Sequence, residues 1–202
     1  MSEPELRIVP AAQAACADLR AVFGERGVAA DCQCQWFKLS AAEWRSTTPA
    51  ERAERLRRQT ACGHASAGAT TGLVAYLGEE AVGWCAVEPR TAYPRLRGAR
   101  VPWAGRSEDK LDEGVWAVTC FVTRAGFRKR GVSRALARAA VEHARAHGAR
   151  AVEGYPIEVQ PGKEFGWGEL FVGTVSVFAS AGFRPVSRPT ASRVVMRLDL
   201  EG

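Results

Sequence analysis

The chain has 202 residues, of which 47% are hydrophobic and 25% are charged, a composition typical of one globular domain and not of two. A chain of this length buries about 70% of the surface that its unfolded form exposes, so its core requires neither disulfides nor a structural metal. Intrinsic disorder and small cystine scaffolds are therefore excluded, whereas the formal net charge of +6 leaves nucleic-acid binding open until its distribution is known.

The composition of the first residues bears on the location of the protein. Residues 1–5 are acidic and no long apolar run follows them, so we expect neither a signal peptide nor a transmembrane helix, and a cytoplasmic location. All six cysteines are then expected to be free thiols.

The predicted elements of the N-terminal half are a strand at Leu6–Val9, a helix at Ala11–Phe23, a helix that begins at Thr48-Pro49 and ends near Gln59, a hairpin of Thr71–Tyr76 and Ala81–Val87, and a loop at Glu88–Glu113.

The C-terminal half contains the most apolar segment of the chain. Val115–Val122 is nearly continuous in apolar residues, the pattern of a central strand that is buried on both faces. Gly131–His147 follows as an amphipathic helix. The remaining predicted elements are a strand at Ala151–Val159, a short helix at Gly173–Ala181, and strands at Phe183–Val186 and Val194–Leu200. This order predicts a mixed α/β domain, one sheet flanked by helices, over residues 1–202.

The excess positive charge lies in one segment. Between Arg124 and Arg150, eight Lys and Arg residues accompany a single acid, Glu142, which leaves a charge of +7 there and −1 in the rest of the chain. A nucleic-acid-binding protein would spread its basic residues over several elements. We therefore expect a local anion site and no nucleic-acid partner.

A basic loop that contains a glycine joins the central strand to the long helix. Its sequence is Arg128-Lys129-Arg130-Gly131-Val132-Ser133. The first N–H groups of a helix have no internal acceptors and attract anions. With guanidinium and ammonium groups beside them, they predict a phosphate site.

This segment resembles the GNAT superfamily of acyl-CoA-dependent N-acyltransferases. The family pattern is a strand ending in Val, followed by (Gln/Arg)-x-x-Gly-x-(Gly/Ala). Here Val122 is followed by Arg128-x-x-Gly131-x-Ser133, and only Ser133 departs from the pattern. A second resemblance is Val177–Phe183, which is similar to the late family helix that ends in Gly-Phe.

The resemblance implies the GNAT fold, a mixed and mostly antiparallel sheet of about seven strands that is split at its centre and flanked by about four helices. It also implies acetyl transfer from acetyl-CoA, as cosubstrate, to the primary amine of a small molecule by direct attack in a ternary complex, without a metal. The residues expected to bind acetyl-CoA are Phe121, Val122, Thr123, Arg128, Lys129, Arg130, Gly131, Val132, Ser133, Arg134 and Ala135.

The acceptor pocket and the groups that transfer protons follow less directly from the resemblance than the acetyl-CoA site does. The expected substrate pocket consists of Cys32, Cys34, Trp36, Trp84, Tyr93 and Tyr155. Glu153 and Glu88 are the candidate bases. Many family members carry a tyrosine that protonates the thiolate at the position of Phe178, so here water, Ser176, Ser180 or Tyr155 would have to help. The alternative is a catalytically weak acyl-CoA sensor of the same fold.

Two further hypotheses stay open at this point. Cys32, Cys34, Cys62 and His64 would supply four zinc ligands, but each pair is separated by one residue instead of the two to four typical of structural sites. The loop Glu158–Phe171, rich in glycine and aromatic residues, offers a surface for a homodimer. No membrane association is expected.

Overall fold

The computed structural model describes residues 5–68, 71–160, 162, 165–166 and 168–200. They form one seven-stranded sheet with helices on both faces. The strands are β1 (Leu6–Pro10), β2 (Leu73–Leu77), β3 (Glu80–Pro89), β4 (Val115–Thr123), β5 (Ala151–Gly154), β6 (Arg184–Thr190) and β7 (Arg193–Asp199). The helices are α1 (Cys16–Phe23), α2 (Val28–Cys32), α3 (Ala41–Ser46), α4 (Pro49–Thr60), α5 (Pro94–Gly98), α6 (Arg100–Trp103), α7 (Val132–Ala146) and α8 (Val175–Ala179).

The sheet has the order β1-β2-β3-β4-β5-β7-β6. Its neighbouring strands are antiparallel except for β4 and β5, which are parallel. Antiparallel neighbours need only short turns, whereas the parallel pair needs a crossover, which α7 provides. The prediction of a mixed, mostly antiparallel sheet of seven strands is confirmed.

Several predicted boundaries differ from the structure. The described residues contain eight α-helices where about four were predicted, because short helices such as α5 and α6 lie in the predicted loop Glu88–Glu113. The predicted helix Ala11–Phe23 is a 3-10 turn followed by α1. None of the helices in the described part of the chain has the length and apolar content needed to cross a membrane.

A β-bulge sets the phase of β4 at the centre of the sheet. Ala86 of β3 pairs with Cys120, and the next residue of β3 pairs with Val118. Thr119 is therefore an additional residue, and one additional residue exchanges the faces of all side chains beyond it. As a result Phe121 packs on the face with α7 and α8, whereas Cys120 lies on the opposite face with α1.

β5 ends after four residues, five before the predicted end of that strand. A Cβ built on its last residue, Gly154, would lie 2.1 Å from the ring of Phe178, so only glycine permits this packing. Pro156 has no N–H to donate to a strand ladder. The Ile157 N–H donates to the Gly173 carbonyl at 3.0 Å, so the chain joins the segment before α8 instead of extending the ladder with β4.

Cys16 and Cys62 form a disulfide, which corrects the prediction that all six cysteines are free. The two residues are 46 positions apart, so their spacing in the sequence did not indicate a pair. The fold brings their segments together, and the Gly63 N–H donates to the Ala14 carbonyl at 2.8 Å beside the disulfide. The remaining four cysteines are free.

We expect Gly154→Ala to lower the free energy of unfolding by about 2 kcal/mol, because the added methyl group collides with the fully buried Phe178 ring. Urea denaturation followed by circular dichroism measures the change. Gly98→Ala is the matched control, since no atom lies within 4 Å of a Cβ at Gly98; it should change stability by less than about 0.5 kcal/mol. Equal effects of the two substitutions would contradict the packing argument.

Candidate active site

The parallel strands β4 and β5 separate halfway along β4, and a cleft opens between them. The strands pair from Val115–Val118 to Ala151–Gly154. Beyond Val118, β4 continues to Thr123 with β3 on one side and no strand of the described residues on the other. The cleft has a volume of about 1500 Å³.

The open edge of β4 presents unpaired backbone groups to the cleft. The Arg124 N–H donates to the Val82 carbonyl of β3 at 2.9 Å. Because residues of an antiparallel strand alternate in the edge to which they direct N–H and C=O, Phe121 and Thr123 direct these groups away from β3. They therefore point to the cleft, where a ligand can extend the sheet by hydrogen bonding.

The N-terminus of α7 lies at one end of the same cleft. Gly131 is its N-cap in the left-handed conformation, with φ 77°, and no side chain caps the helix. The first intrahelical hydrogen bond is from Ala135 N–H to the Gly131 carbonyl, at 3.0 Å, so the N–H groups of the first turn have no helical acceptor. The first turn contains no acid. A fifteen-residue helix with this end is suited to an anion.

The charged side chains of the cleft are mainly basic. Its basic lining residues are Arg26, Arg124, Arg128, Lys129, Arg134 and Arg193, and its acidic ones are Asp31 and Glu169. Four of the six basic residues come from the segment Arg124–Arg150 in which the sequence concentrates its charge. They surround the α7 N-terminus, where they add to the field of the helix dipole.

Another part of the cleft lining is apolar and aromatic. Trp36, which is 38% exposed, packs edge-on against Trp44 with ring centroids 5.0 Å apart. The Arg95 guanidinium stacks 4.0 Å from the centre of the Trp36 ring. Phe37 and Phe171 pack together in the same lining at 6.1 Å. This aromatic part of the lining can bind the apolar portion of a ligand.

Three thiol groups, those of Cys32, Cys34 and Cys120, also line the cleft. Trp84 is fully buried and does not line the cleft itself, but its indole N–H donates to the Cys34 sulfur at 3.3 Å and orients that residue. Burial and the neighbouring Cys34 raise the pKa of Cys32 to about 11. A hydrogen bond with Cys34 and burial raise the pKa of Cys120 well above its usual value. Cys32 and Cys120 are therefore neutral thiols at pH 7 and not nucleophiles.

Glu153 lies outside the cleft lining, with its carboxylate among three guanidinium groups. It is fully buried and accepts from Arg90 at 3.2 Å, from Arg197 at 3.0 Å and from Arg106. The Tyr155 hydroxyl donates to it at 3.2 Å. Burial and this carboxylate raise the pKa of Tyr155 well above its usual value. A carboxylate with these partners holds the segment after β3 against the sheet and is not directed at the cleft.

Glu88 and Tyr93 are also outside the cleft lining. Glu88 is buried, accepts from the Thr71 hydroxyl at 2.7 Å and forms an ion pair with Lys38. The Lys38 ammonium lies 5.3 Å from the centre of the Tyr93 ring, which is fully buried. Burial and the charge of Glu88 raise the pKa of Tyr93 well above its usual value. Both side chains therefore belong to the interior behind the cleft.

Most of the predicted binding residues meet in the cleft. Those that line it are Phe121, Val122, Thr123, Arg128, Lys129, Gly131, Val132, Ser133, Arg134, Cys32, Cys34, Trp36 and Tyr155. Arg130 and Ala135 do not line it, although the Arg130 guanidinium stacks 5.5 Å from the cleft residue Phe127. Sequence reasoning missed Cys120, Glu169, Phe171 and Arg193, and only Cys120 lay in a segment with a recognisable pattern.

The described residues do not form the zinc site that this hypothesis requires. Cys62 is bonded to Cys16 and is not available as a thiolate ligand. In the part of the chain that the structure describes, no group of three or more His, Cys, Asp or Glu side chains is placed to hold a metal ion.

We expect Glu153→Gln to lower the free energy of unfolding by about 3 kcal/mol or more, because it removes the charge that three guanidinium groups share in a buried site. Urea denaturation at pH 7 measures the change. Glu54→Gln is the control, since Glu54 pairs with Arg57 and Arg58 on the exposed face of α4 and should matter far less. Equal destabilisation by both substitutions would contradict the claim that the buried Glu153 network contributes more to stability than the exposed ion pairs of Glu54.

Solved structures of low sequence identity share this fold. A GCN5-related N-acetyltransferase from Kribbella flavida has a TM-score of 0.55 and 18% identity, over 96% of this chain and 98% of that chain. An N-acetyltransferase from Staphylococcus aureus Mu50 has a TM-score of 0.55 and 12% identity, over 98% and 99%. The structure of yncA from Salmonella typhimurium with its cofactor acetyl-CoA has a TM-score of 0.54 and 16% identity, over 97% and 94%.

The sequence itself shows the family. No curated protein sequence matches the chain. Residues 35–159 match the family model described as Acetyltransferase (GNAT) family. This range runs from the segment after α2 through β4, α7 and β5, and so includes both walls of the cleft. Because it covers more than half of the 202 residues, the chain belongs to the GNAT acetyltransferase family.

Proposed function

We propose that this protein transfers the acetyl group of acetyl-CoA to the primary amine of a small molecule bound in the cleft. One observation carries the proposal: the open edge of β4 leads directly to the uncapped N-terminus of α7. An extended amide chain that ends in phosphates, which is the chemistry of CoA, matches these two features in that order.

Each part of acetyl-CoA has a counterpart along the cleft. The amides of the pantetheine arm would pair with the backbone of Phe121 and Thr123 at the open edge. The pyrophosphate would accept from the N–H groups of Gly131–Arg134, with Arg128 and Lys129 beside it. The family membership supports this assignment, as does the Salmonella structure of the same fold, which contains acetyl-CoA.

The reaction is then a direct acyl transfer within a ternary complex. The neutral amine attacks the thioester carbonyl, the new C–N bond forms, and the C–S bond breaks. Overall, the nitrogen loses one proton and the CoA sulfur gains one. A backbone N–H of the open edge at Phe121 would stabilise the oxyanion, and the walls of the cleft would hold the two reactants in position.

The positions of the carboxylates change the choice of base. Glu88 and Glu153 are held by cations outside the cleft lining. Among described residues, the acids that line the cleft are Asp31 and Glu169. We therefore propose that the acceptor ammonium loses its proton to one of these two carboxylates or to water, with Glu153 as a positioning residue beneath Tyr155.

The donor of the proton to the thiolate is proposed to be water. Phe178 has no hydroxyl group and lies outside the cleft lining, as do Ser176 and Ser180. The Ser180 hydroxyl donates to the Val177 carbonyl at 2.7 Å. Tyr155 does line the cleft, but its hydroxyl proton is directed at Glu153.

We expect acetyl-CoA to bind with a dissociation constant in the micromolar range, equivalent to roughly 8 kcal/mol, in isothermal titration calorimetry. Gly131→Asp should weaken binding by about 10-fold or more, because a carboxylate in the cradle repels the pyrophosphate. Gly131→Asn is the matched control, since Asn has the same shape, carries no charge and tolerates the left-handed conformation. No binding by the unmutated protein, or equal losses in the two variants, would contradict the phosphate assignment.

We expect a panel of small primary amines to release CoA thiol from acetyl-CoA in the presence of this protein, with the rate measured by a thiol reagent. Thiol release that requires the amine, together with detection of the N-acetylated product by mass spectrometry, is the expected result. Tight binding of acetyl-CoA without amine-dependent release for any member of the panel would favour the sensor alternative.

A further inference from the structure

Arg193 is a cationic group in the cleft that the reaction described above does not use. It is the first residue of β7 and lines the cleft. Its Nε atom is buried and has no hydrogen-bond partner among the described residues. Burial lowers its pKa, which the charge of Glu169 partly offsets. A buried guanidinium N–H without an acceptor is costly unless a ligand supplies one.

Two other arginines of the β6–β7 hairpin, Arg188 and Arg197, are neutralised within the protein. Arg197 lies four residues further along β7, on the same face of the strand. It forms ion pairs with Glu108 and Glu153 at 3.0 Å and with Asp199 at 2.7 Å. Arg188, on the neighbouring strand β6, pairs with Glu158. In the described part of the chain no acid lies within ion-pair distance of Arg193, which lines the cleft and has a buried Nε without a partner.

The surroundings of Arg193 define the rest of the ligand. Val195 lies two residues further on the same face and packs in a buried apolar cluster with Leu96, Val101 and Tyr155. These three neighbours line the cleft, whereas Val195 does not. Glu169 supplies a negative charge on the same lining but does not form an ion pair with Arg193. Arg193 and its neighbours in the lining therefore offer one cation, one anion and an apolar wall.

We propose, on the basis of the proposed function, that the acceptor is an amine that also carries a carboxylate and an apolar body, the chemistry of a hydrophobic amino acid. The carboxylate accepts from the Arg193 guanidinium, which can donate two parallel hydrogen bonds to it. The apolar body packs on Leu96, Val101 and Tyr155. The negative charge of Glu169 attracts the ammonium form of the acceptor as it enters.

CoA also carries anionic groups, and a separate cluster of basic residues is available to them. The four basic residues Arg124, Arg128, Lys129 and Arg134 are grouped around the α7 N-terminus, whereas Arg193 begins β7 beyond the end of β5. If the partner of Arg193 is the acceptor carboxylate, a change at this residue should leave acetyl-CoA binding intact. If the partner is a phosphate of CoA, that binding should weaken.

The test uses matched acceptors that differ only in the carboxylate. Leucine, methionine, phenylalanine and tryptophan are each compared with the decarboxylated amine and with the primary amide, and kcat/KM is measured by thiol release. We expect at least one amino acid to exceed its amine and its amide. Arg193→Met should lower kcat/KM for that amino acid by about 10- to 100-fold and abolish its advantage. Arg188→Met, an exposed arginine of the same hairpin, is the control and should change neither value.

A second readout does not depend on turnover. The N-acetyl amino acids are titrated by calorimetry into protein saturated with CoA, beside the N-acetyl amines that lack the carboxylate. Binding that requires both the carboxylate and Arg193 supports the inference even if no acceptor is turned over. Equal affinity for the two sets, turnover of amines but not of amino acids, or weakened acetyl-CoA binding in Arg193→Met overturns it. Failure of acetyl-CoA to bind the unmutated protein overturns the proposed function instead.

Discussion

The cleft depends on the point at which β4 and β5 stop pairing. Backbone N–H and C=O groups in a sheet are normally satisfied by the neighbouring strand, and unpaired ones remain available to another chain. Here the ladder ends at Gly154, where the Phe178 ring occupies the space of a side chain. The bulge at Thr119 exchanges the faces of the residues beyond it, so that Phe121 packs on the α7 side of the sheet and Cys120 on the α1 side. The edge of β4 that remains open is the surface on which we place acetyl-CoA.

The charged residues form two groups, one that lines the cleft and one in the interior behind it. The basic segment Arg124–Arg150 contributes four of the six basic residues of the cleft, all around the α7 N-terminus. Behind the cleft, one buried carboxylate, Glu153, holds three guanidinium groups, and this network ties the segment between β3 and β4 to the sheet. Arg193 lies on the same face of β7 as the neutralised Arg197, but among the described residues no acid pairs with it. The unpaired Nε of Arg193 is the observation from which we propose that the acceptor carries a carboxylate.

The parts of the fold with a strong local signal were predictable from the sequence. The apolar run Val115–Val122, the glycine at position 131 and the amphipathic pattern of α7 predicted the central strand, the start of the long helix and the crossover. The bulge was not predictable, because a strand that is apolar on both faces shows no alternation in which an extra residue would be visible. The early end of β5 depends on the contact between Gly154 and Phe178, and the disulfide joins residues 46 positions apart. Glu88 and Glu153 look like strand-end acids, and only the tertiary structure shows the cations that hold them.

A crystal structure of the protein with CoA tests the central claim most directly. The account predicts pantetheine amides within hydrogen-bond distance of the Phe121 and Thr123 backbone, the pyrophosphate on the N–H groups of Gly131–Arg134, and the thiol directed toward the end of the cleft that Trp36 and Tyr155 line. Density for CoA on another surface, or in the cleft but without contact to the open edge of β4, would contradict it.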